Sequence, residues 1–165
     1  VCVKAYQTRV GGGPMPTEDV GDYGRFLQEK GGERGTRSGR ARRCGPLDLP
    51  LIRRGLEFLG ADEDSEIALT KLDILDGLED IIVCVAYNFE GKKFSISPRA
   101  DAEFLSNVKP ICKHFKGWKE DISGIRSYKD LPKRAQEYVI FIEGQLQRKI
   151  TMIGVGKHKD AVIIR

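Results

Sequence analysis

Apolar residues along this chain fall into short runs and helical stripes, and together they predict an order of elements. Residues 1–6, 67–69 and 81–87 (VCVKAY, IAL and IIVCVAY) have the apolar character of buried strands. Between the first two, Tyr23, Phe26 and Leu27 predict a helix over 20–30, with Thr17 placed to cap it. Leu47, Leu51, Ile52, Leu56 and Leu59 predict a second helix over 47–59, with Pro50 tolerated in its first turn and Gly60 ending it. An acidic stretch, Asp62-Glu63-Asp64-Ser65-Glu66, reads as an exposed connection. After residue 87, Glu90-Gly91-Lys92-Lys93 reads as a turn and the alternating 94–97 as the return strand, giving a hairpin over 81–97. Residues 101–108 predict a short helix, and Trp118 reads as a packing residue. The clearest helix is 131–147, with Asp130 as cap, Pro132 at its first position and a buried stripe of Ala135, Tyr138, Val139, Ile142 and Leu146. The end reads as strand, tight glycine loop and strand. Strands alternating with helices give an α/β fold, and the hairpin makes its sheet mixed.

Composition narrows the picture. With 165 residues, length alone predicts one domain. Net charge is only +4, from 28 basic and 24 acidic residues, so the chain as a whole is no polycation. Cys2, Cys44, Cys84 and Cys112 lie far apart with no C-x-x-C pair, which predicts reduced thiols and a cytoplasmic setting. His114 and His158 lack zinc-ligand spacing. No leader and no apolar run of membrane-spanning length is evident, so no membrane partner is expected. The chain starts at Val1 inside a predicted strand, without methionine, which predicts a fragment of a longer protein.

Three stretches carry candidate chemistry. In 67–77 (IALTKLDILDG), a buried strand delivers Lys71 and Asp73 at its C-terminal end, where open α/β sheets bind ligands. A carboxylate there matches guanine, which offers adjacent N1–H and N2–H₂ donors; adenine would present it with an acceptor. The methylenes of Lys71 can lie along the purine face. The alternative is a strand end capped by a Lys–Asp ion pair, followed by an Asp76-Gly77 turn. In 8–18 (TRVGGGPMPTE), three glycines permit positive φ or close approach to a ligand, although a plain connecting loop also fits. In 31–45 (GGERGTRSGRARRCG), five arginines accompany Thr36 and Ser38, and guanidinium binds carboxylate or phosphate through two hydrogen bonds. A solvated basic loop and an RNA-binding segment are the alternatives; no aromatic in the stretch can stack on bases, which argues against nucleic acid. Gly154 and Gly156 form either a hairpin turn or a surface admitting a flat base.

The ordered set VKAYQTRVGGGPMPTE, GERGTRSGRARRCG, ALTKLDILDGL, VCVAY, GW-x-x-DISG and a final helix with a G-x-G loop resembles the C-terminal half of the adenylosuccinate synthetase family. The resemblance implies a mainly parallel mixed sheet flanked by helices with a small β-hairpin subdomain, cut from a larger P-loop-NTPase-like domain. It implies a GTP- and Mg²⁺-dependent ligase of purine biosynthesis that joins IMP to L-aspartate, forms a homodimer and works in the cytoplasm. On this pattern Lys71 and Asp73 fall on the guanine pair (strand end 67–77), and Gly154 and Gly156 on the C-terminal guanine loop (150–165). Val10 and Gly11 fall on the IMP wall. Thr36, Arg37, Ser38, Gly39, Arg40 and Arg42 fall on the aspartate-binding loop (31–45), with Arg40 also directed to the IMP ribose. Gly154 stands where the family usually has a hydroxyl residue, and Arg37 replaces a usual threonine. The loop over aspartate is expected to be open without ligand. The family's phosphate-binding glycine loop, catalytic Asp, catalytic His and Mg²⁺ ligands match nothing in these residues. No catalytic or metal residue is therefore expected here, and the 165 residues alone are expected to be inactive.

Overall fold

A computed structural model describes residues 1–62 and 64–165; within the acidic connection, Glu63 lies outside the described residues. In chain order the elements are β1 (Cys2–Lys4), β2 (Gln7–Arg9), α1 (Asp22–Lys30), β3 (Arg43–Gly45), β4 (Leu47–Asp48), α2 (Leu49–Phe58), β5 (Ile67–Thr70), β6 (Asp80–Phe89), β7 (Lys92–Phe94), α3 (Ala102–Asn107), β8 (Lys109–Lys116), α4 (Lys133–Leu146), β9 (Ile150–Gly154) and β10 (Val162–Ile164). Where length alone predicts one domain, the fold divides into two compact units.

The first unit comprises Val1–Ala5, Gly60–Ile81 and His114–Arg165. Its sheet has the order β1-β5-β9-β10. β5 runs parallel to both β1 and β9, and β10 returns antiparallel to β9, so the sheet is mixed and mainly parallel. Leu69 pairs with Val3 on one side and Ile153 on the other, and all three are buried. α4 buries the stripe that its spacing predicts: Ala135, Tyr138, Val139, Ile142 and Leu146. The Tyr138 hydroxyl donates to the Ala5 carbonyl at 2.7 Å. The helix begins later than its sequence suggests. Pro132 occupies the cap position with no side-chain cap, and Asp130 ends a preceding 3-10 turn (Tyr128–Asp130). The residue before a proline is pushed out of the helical region, and Leu131 accordingly sits at ψ 143. Asp130 is thus too far upstream to cap.

The second unit comprises Tyr6–Leu59 and Ile82–Lys113. β2 and β3 form an antiparallel ladder with Thr8 opposite Cys44, in stretches that the sequence reading treats as loops. β4 runs parallel to β6, with Leu47 opposite Val83. α2 keeps Pro50 in its first turn, as predicted, but Leu47 belongs to β4 and Leu59 is exposed. The cap is Asp48, whose carboxylate accepts from the Leu51 amide at 3.1 Å. α1 starts after Gly21, and Asp19 Oδ1 rather than Thr17 accepts the Gly21 and Gly24 amides. β6 and β7 form a hairpin where one is expected, but with a tighter turn and a return strand that ends at Phe94 rather than at residue 97. Glu90 and Gly91 both adopt positive φ, 50 and 78, so Lys92 and Lys93 belong to the return strand. Cys84, Tyr87, Phe104, Leu105 and Val108 make a buried cluster, with the Phe89 and Phe104 rings 5.0 Å apart. β8 pairs with β6 although most of its side chains are exposed. None of the four cysteines forms a disulfide, and Cys2 is exposed although it lies in an apolar run.

Candidate functional site

The candidate residues form two groups, one in each unit. In the first unit, β5 buries Ile67 and Leu69 and ends at Thr70, whose carbonyl accepts the Ala5 amide at 2.9 Å. Lys71 then adopts the left-handed conformation at φ 60. A non-glycine residue held there costs about 1–3 kcal/mol, which the surrounding packing must offset. That packing comes from the next turn: Leu72–Leu75 is a 3-10 segment with Leu72, Ile74 and Leu75 buried and Asp73 only partly so. The turn sends these three apolar side chains inward and leaves Lys71 and Asp73 half-buried.

Gly154, the last residue of β9, packs its backbone on this strand end. A Cβ there would lie 3.4 Å from Thr70 Cα and 3.6 Å from the Lys71 amide nitrogen. Only a backbone contact is on offer from Gly154. Gly156 has a different neighbour: a Cβ there would lie 3.0 Å from the Ala161 side chain and 4.0 Å from Ser123. Asp76 is buried and serves the scaffold. It accepts the Trp118 indole N–H at 2.5 Å and the Ile122 amide at 3.1 Å, while the Gly77 amide donates to the Trp118 carbonyl at 2.8 Å. The Asp76-Gly77 turn is therefore held by the segment 118–122.

In the second unit, Val10 is 67% exposed and Gly11 adopts φ 83. The arginine-rich stretch folds back on itself. Arg34 bridges Ala41, the Gly35 amide donates to the Arg40 carbonyl at 2.8 Å, and the Gly39 amide donates to the Gly35 carbonyl at 2.8 Å. Thr36, Arg37, Ser38, Gly39 and Arg40 form its exposed tip, with the Arg40 amide donating to Ser38 Oγ at 3.3 Å. Arg42 belongs instead to the root. Its Nη1 lies 3.1 Å from Glu33 Oε2, and Glu33, only 1% exposed, also accepts from the Tyr6 hydroxyl at 2.7 Å. Arg43 pairs with Glu18 and holds its carboxyl below the usual carboxylate range. The tip thus presents two guanidiniums and two hydroxyls outward, a set suited to a small dianion, while the two root arginines are already bound to carboxylates.

Buried Asp48 is a titratable group that the sequence reading did not single out. Burial pushes its carboxyl up to about 6, against the opposing pull of the Tyr87 hydroxyl and the Leu51 amide. The signal was present as Asp48 two residues before Pro50, the pattern of a helix start. Among the described residues no group of three His, Cys, Asp or Glu side chains is placed to hold a metal ion, and no helix is long and apolar enough to cross a membrane.

Fold and candidate sites together define an α/β chain with polar groups presented at a strand end and on a basic loop. The chain belongs to the adenylosuccinate synthetase family, whose family model matches residues 1–163. It is 49% identical over 163 residues to adenylosuccinate synthetase of Coprinopsis cinerea, covering 99% of this chain and 37% of that relative. It is 45% identical to that of Leifsonia xyli, covering 99% of this chain and 36% of that relative. The structure of fully ligated adenylosuccinate synthetase from Plasmodium falciparum superposes with a TM-score of 0.92 at 39% identity, covering 99% of this chain and 38% of that one. The chain thus spans little more than a third of the length of the curated relatives it matches.

Proposed function

We propose that these residues are the base-pocket and aspartate-clamp part of a GTP-dependent ligase that joins IMP to L-aspartate, giving adenylosuccinate, GDP and phosphate. The observation that carries the reading is the family match over 1–163, which includes both polar groups described above. In this reading the γ-phosphoryl group of GTP passes to the 6-oxygen of IMP, and the aspartate amine then displaces that phosphate. The first step makes a poor leaving group a good one; the second needs the aspartate carboxylates held while its amine attacks.

Each group has a role in that chemistry. Asp73 accepts from guanine N1–H and N2–H₂, and the Lys71 stem covers the ring, with the Gly154 and Gly156 backbones beside it. Selectivity follows because adenine would leave a carboxylate facing an acceptor. Val10 and Gly11 line the IMP ring. Thr36, Arg37, Ser38, Gly39 and Arg40 take the aspartate carboxylates, with Arg40 also reaching the ribose, and Arg42, its Nη1 held by Glu33, closes the clamp from the root. An exposed, glycine-bearing tip suits a loop that admits aspartate and then shuts water out. Mg²⁺ accompanies GTP in this reading. The catalytic groups lie outside these residues, and the 165 residues alone do not turn over. The enzyme is cytoplasmic and homodimeric in this reading, which its family supports.

The test is to assay the complete reading frame that encodes these residues for adenylosuccinate formation from IMP, aspartate and GTP, with ATP replacing GTP as control. Product with GTP alone is expected. No product from a folded protein, or equal product with ATP, overturns the reading.

A further inference from the structure

Among the arginines of 31–45, Arg43 stands out because its guanidinium contacts all run to a segment more than twenty residues away. Its Nε donates to Glu18 Oε1 at 2.8 Å, and its Nη2 pairs with Glu18 Oε2. Its Nη1 donates to the Gly11 carbonyl at 3.2 Å and also to the Gly13 carbonyl. One planar fork therefore holds both the glycine turn and the glutamate that follows it. The geometry suits arginine alone, since a lysine ammonium lacks a fork that can grip a carboxylate edge-on and two carbonyls at once.

The surroundings make this junction tight. Arg43 lies opposite Arg9 in the β2–β3 ladder. The Arg9 guanidinium packs on Gly13 so closely that a Cβ there would lie 1.9 Å from its Nη2. One residue further on, the Asp19 amide donates to the Cys44 carbonyl at 3.0 Å. Gly45 approaches Thr17 so closely that a Cβ there would fall 1.7 Å from the Thr17 carbonyl oxygen. The 11–13 turn is joined to the root of the arginine loop by two side-chain-to-carbonyl bonds, and Glu18 and Asp19 beyond it by an ion pair and a backbone bond.

We propose that Arg43, held by Glu18, is a positioning residue that couples the glycine turn to the arginine loop, so that occupancy at the turn sets the geometry with which the loop tip captures its dianion. The proposal rests on the functional reading above, in which Val10 and Gly11 meet IMP and the tip meets aspartate. Arg43 touches neither substrate. It acts through Gly11 and Gly13 on one side and through Ala41 and Arg42, which lead to Arg40, on the other. Binding at one loop then changes affinity at the other by a common factor in both directions.

The test uses the complete reading frame with Arg43→Lys, Glu18→Gln and the double variant. Arg43→Lys keeps the charge and removes the fork. It is expected to raise KM for IMP and for aspartate together, by about 10-fold, and to weaken the dependence of aspartate KM on IMP concentration. The GTP-over-ATP selectivity, set by the other unit, stays within about 2-fold and reports a folded enzyme. Glu18→Gln, the milder change, moves the same two constants in the same direction, and the double variant adds little because both changes break one junction. Unchanged constants with only a lowered melting temperature overturn the inference, as do additive effects or a rise confined to one substrate. An unsubstituted enzyme that makes no adenylosuccinate overturns the functional reading, and this inference with it. An active unsubstituted enzyme whose variants bind IMP and aspartate normally overturns this inference alone.

Discussion

The strand end at Lys71–Asp73 and the arginine loop are built in opposite ways. The strand end is a product of the core: Leu69, Leu72 and Leu75 are all 0% exposed, and their packing forces Lys71 into the left-handed region and fixes where Asp73 stands. The arginine loop has no apolar residue between Arg34 and Ala41; its own backbone closes the tip, and Glu33 and Glu18 hold its root. A rigid base pocket discriminates by leaving the wrong base unpaired, whereas an exposed tip on a held root can move to admit a charged substrate. In the proposed enzyme the difference separates recognition that must be constant from capture that must be reversible.

The sharpest way to break this contrast is at Asp73. Asp73→Asn removes the acceptor pair and presents an amide donor to guanine. The ratio of kcat/KM for GTP to that for ATP is expected to fall by about 10⁴-fold, the scale on which sites built around a hydrogen bond reject analogues. A fall below tenfold would remove Asp73 from base recognition. Next in size is the scaffold beneath it. Asp76→Ala strands the Trp118 indole N–H and the Ile122 amide in the core. Urea titration is expected to show a loss of about 3 kcal/mol, with Asp76→Asn costing less than half of that. An equal loss in both variants would mean that packing, not the hydrogen bonds, holds the turn.

The same contrast decided what the sequence could disclose. β5 and the stripe on α4 were legible because their apolar residues turn inward, Ile67 and Leu69 on the strand and Ala135, Tyr138, Val139, Ile142 and Leu146 on the helix. β8 was not, because its side chains are mostly exposed and Pro110 interrupts it, so no alternation marks it. The β2–β3 ladder pairs segments more than thirty residues apart, and a local pattern carries no trace of such a partner. The arginine count of the loop was plain, but its division into an outward tip and a bound root depends on Glu33 and Glu18, which the sequence shows only as two ordinary acidic residues. At the strand end, Asp73 and Asp76 look alike in sequence; the structure makes one a partly exposed candidate ligand group and the other a buried acceptor.

Two carboxylates of the second unit sharpen the contrast through pH. Buried Asp48 has its carboxyl raised from 3.8 to about 6, so the folded state binds its proton more tightly than the unfolded chain. Its contribution to stability is complete below the unfolded value and is lost as pH rises through about 6, an effect of about 3 kcal/mol. Glu18 has the opposite sign. Its carboxyl is lowered by Arg43, so its contribution is present above the ordinary carboxylate range and is lost as pH falls through the lowered value. Asp48→Asn is expected to flatten the fall in urea midpoint between about pH 4 and pH 7, while Glu18→Gln leaves that fall intact and removes part of the loss at lower pH. A fall that persists in Asp48→Asn would assign it to another group.

The smallest expected effect lies at the loop tip. Arg37 and Arg40 are both exposed, but their backbone settings differ. Arg40 is fixed at the foot of the tip, where its carbonyl accepts the Gly35 amide and its own amide donates to Ser38. Arg37 sits at the outer end, where the resemblance leads one to expect threonine. Arg40→Leu is expected to raise KM for aspartate by about 10-fold or more, the weight of one charge-assisted fork, and to raise KM for IMP as well. Arg37→Thr is expected to change KM for aspartate by less than about 3-fold, the scale of an exposed charge screened by salt, with the change vanishing at high ionic strength. A tenfold loss in Arg37→Thr that survives salt would place Arg37 on the substrate and extend the clamp outward. An inert Arg40→Leu would leave the tip without its principal anchor, and the division between tip and root would then have to be drawn at Arg42.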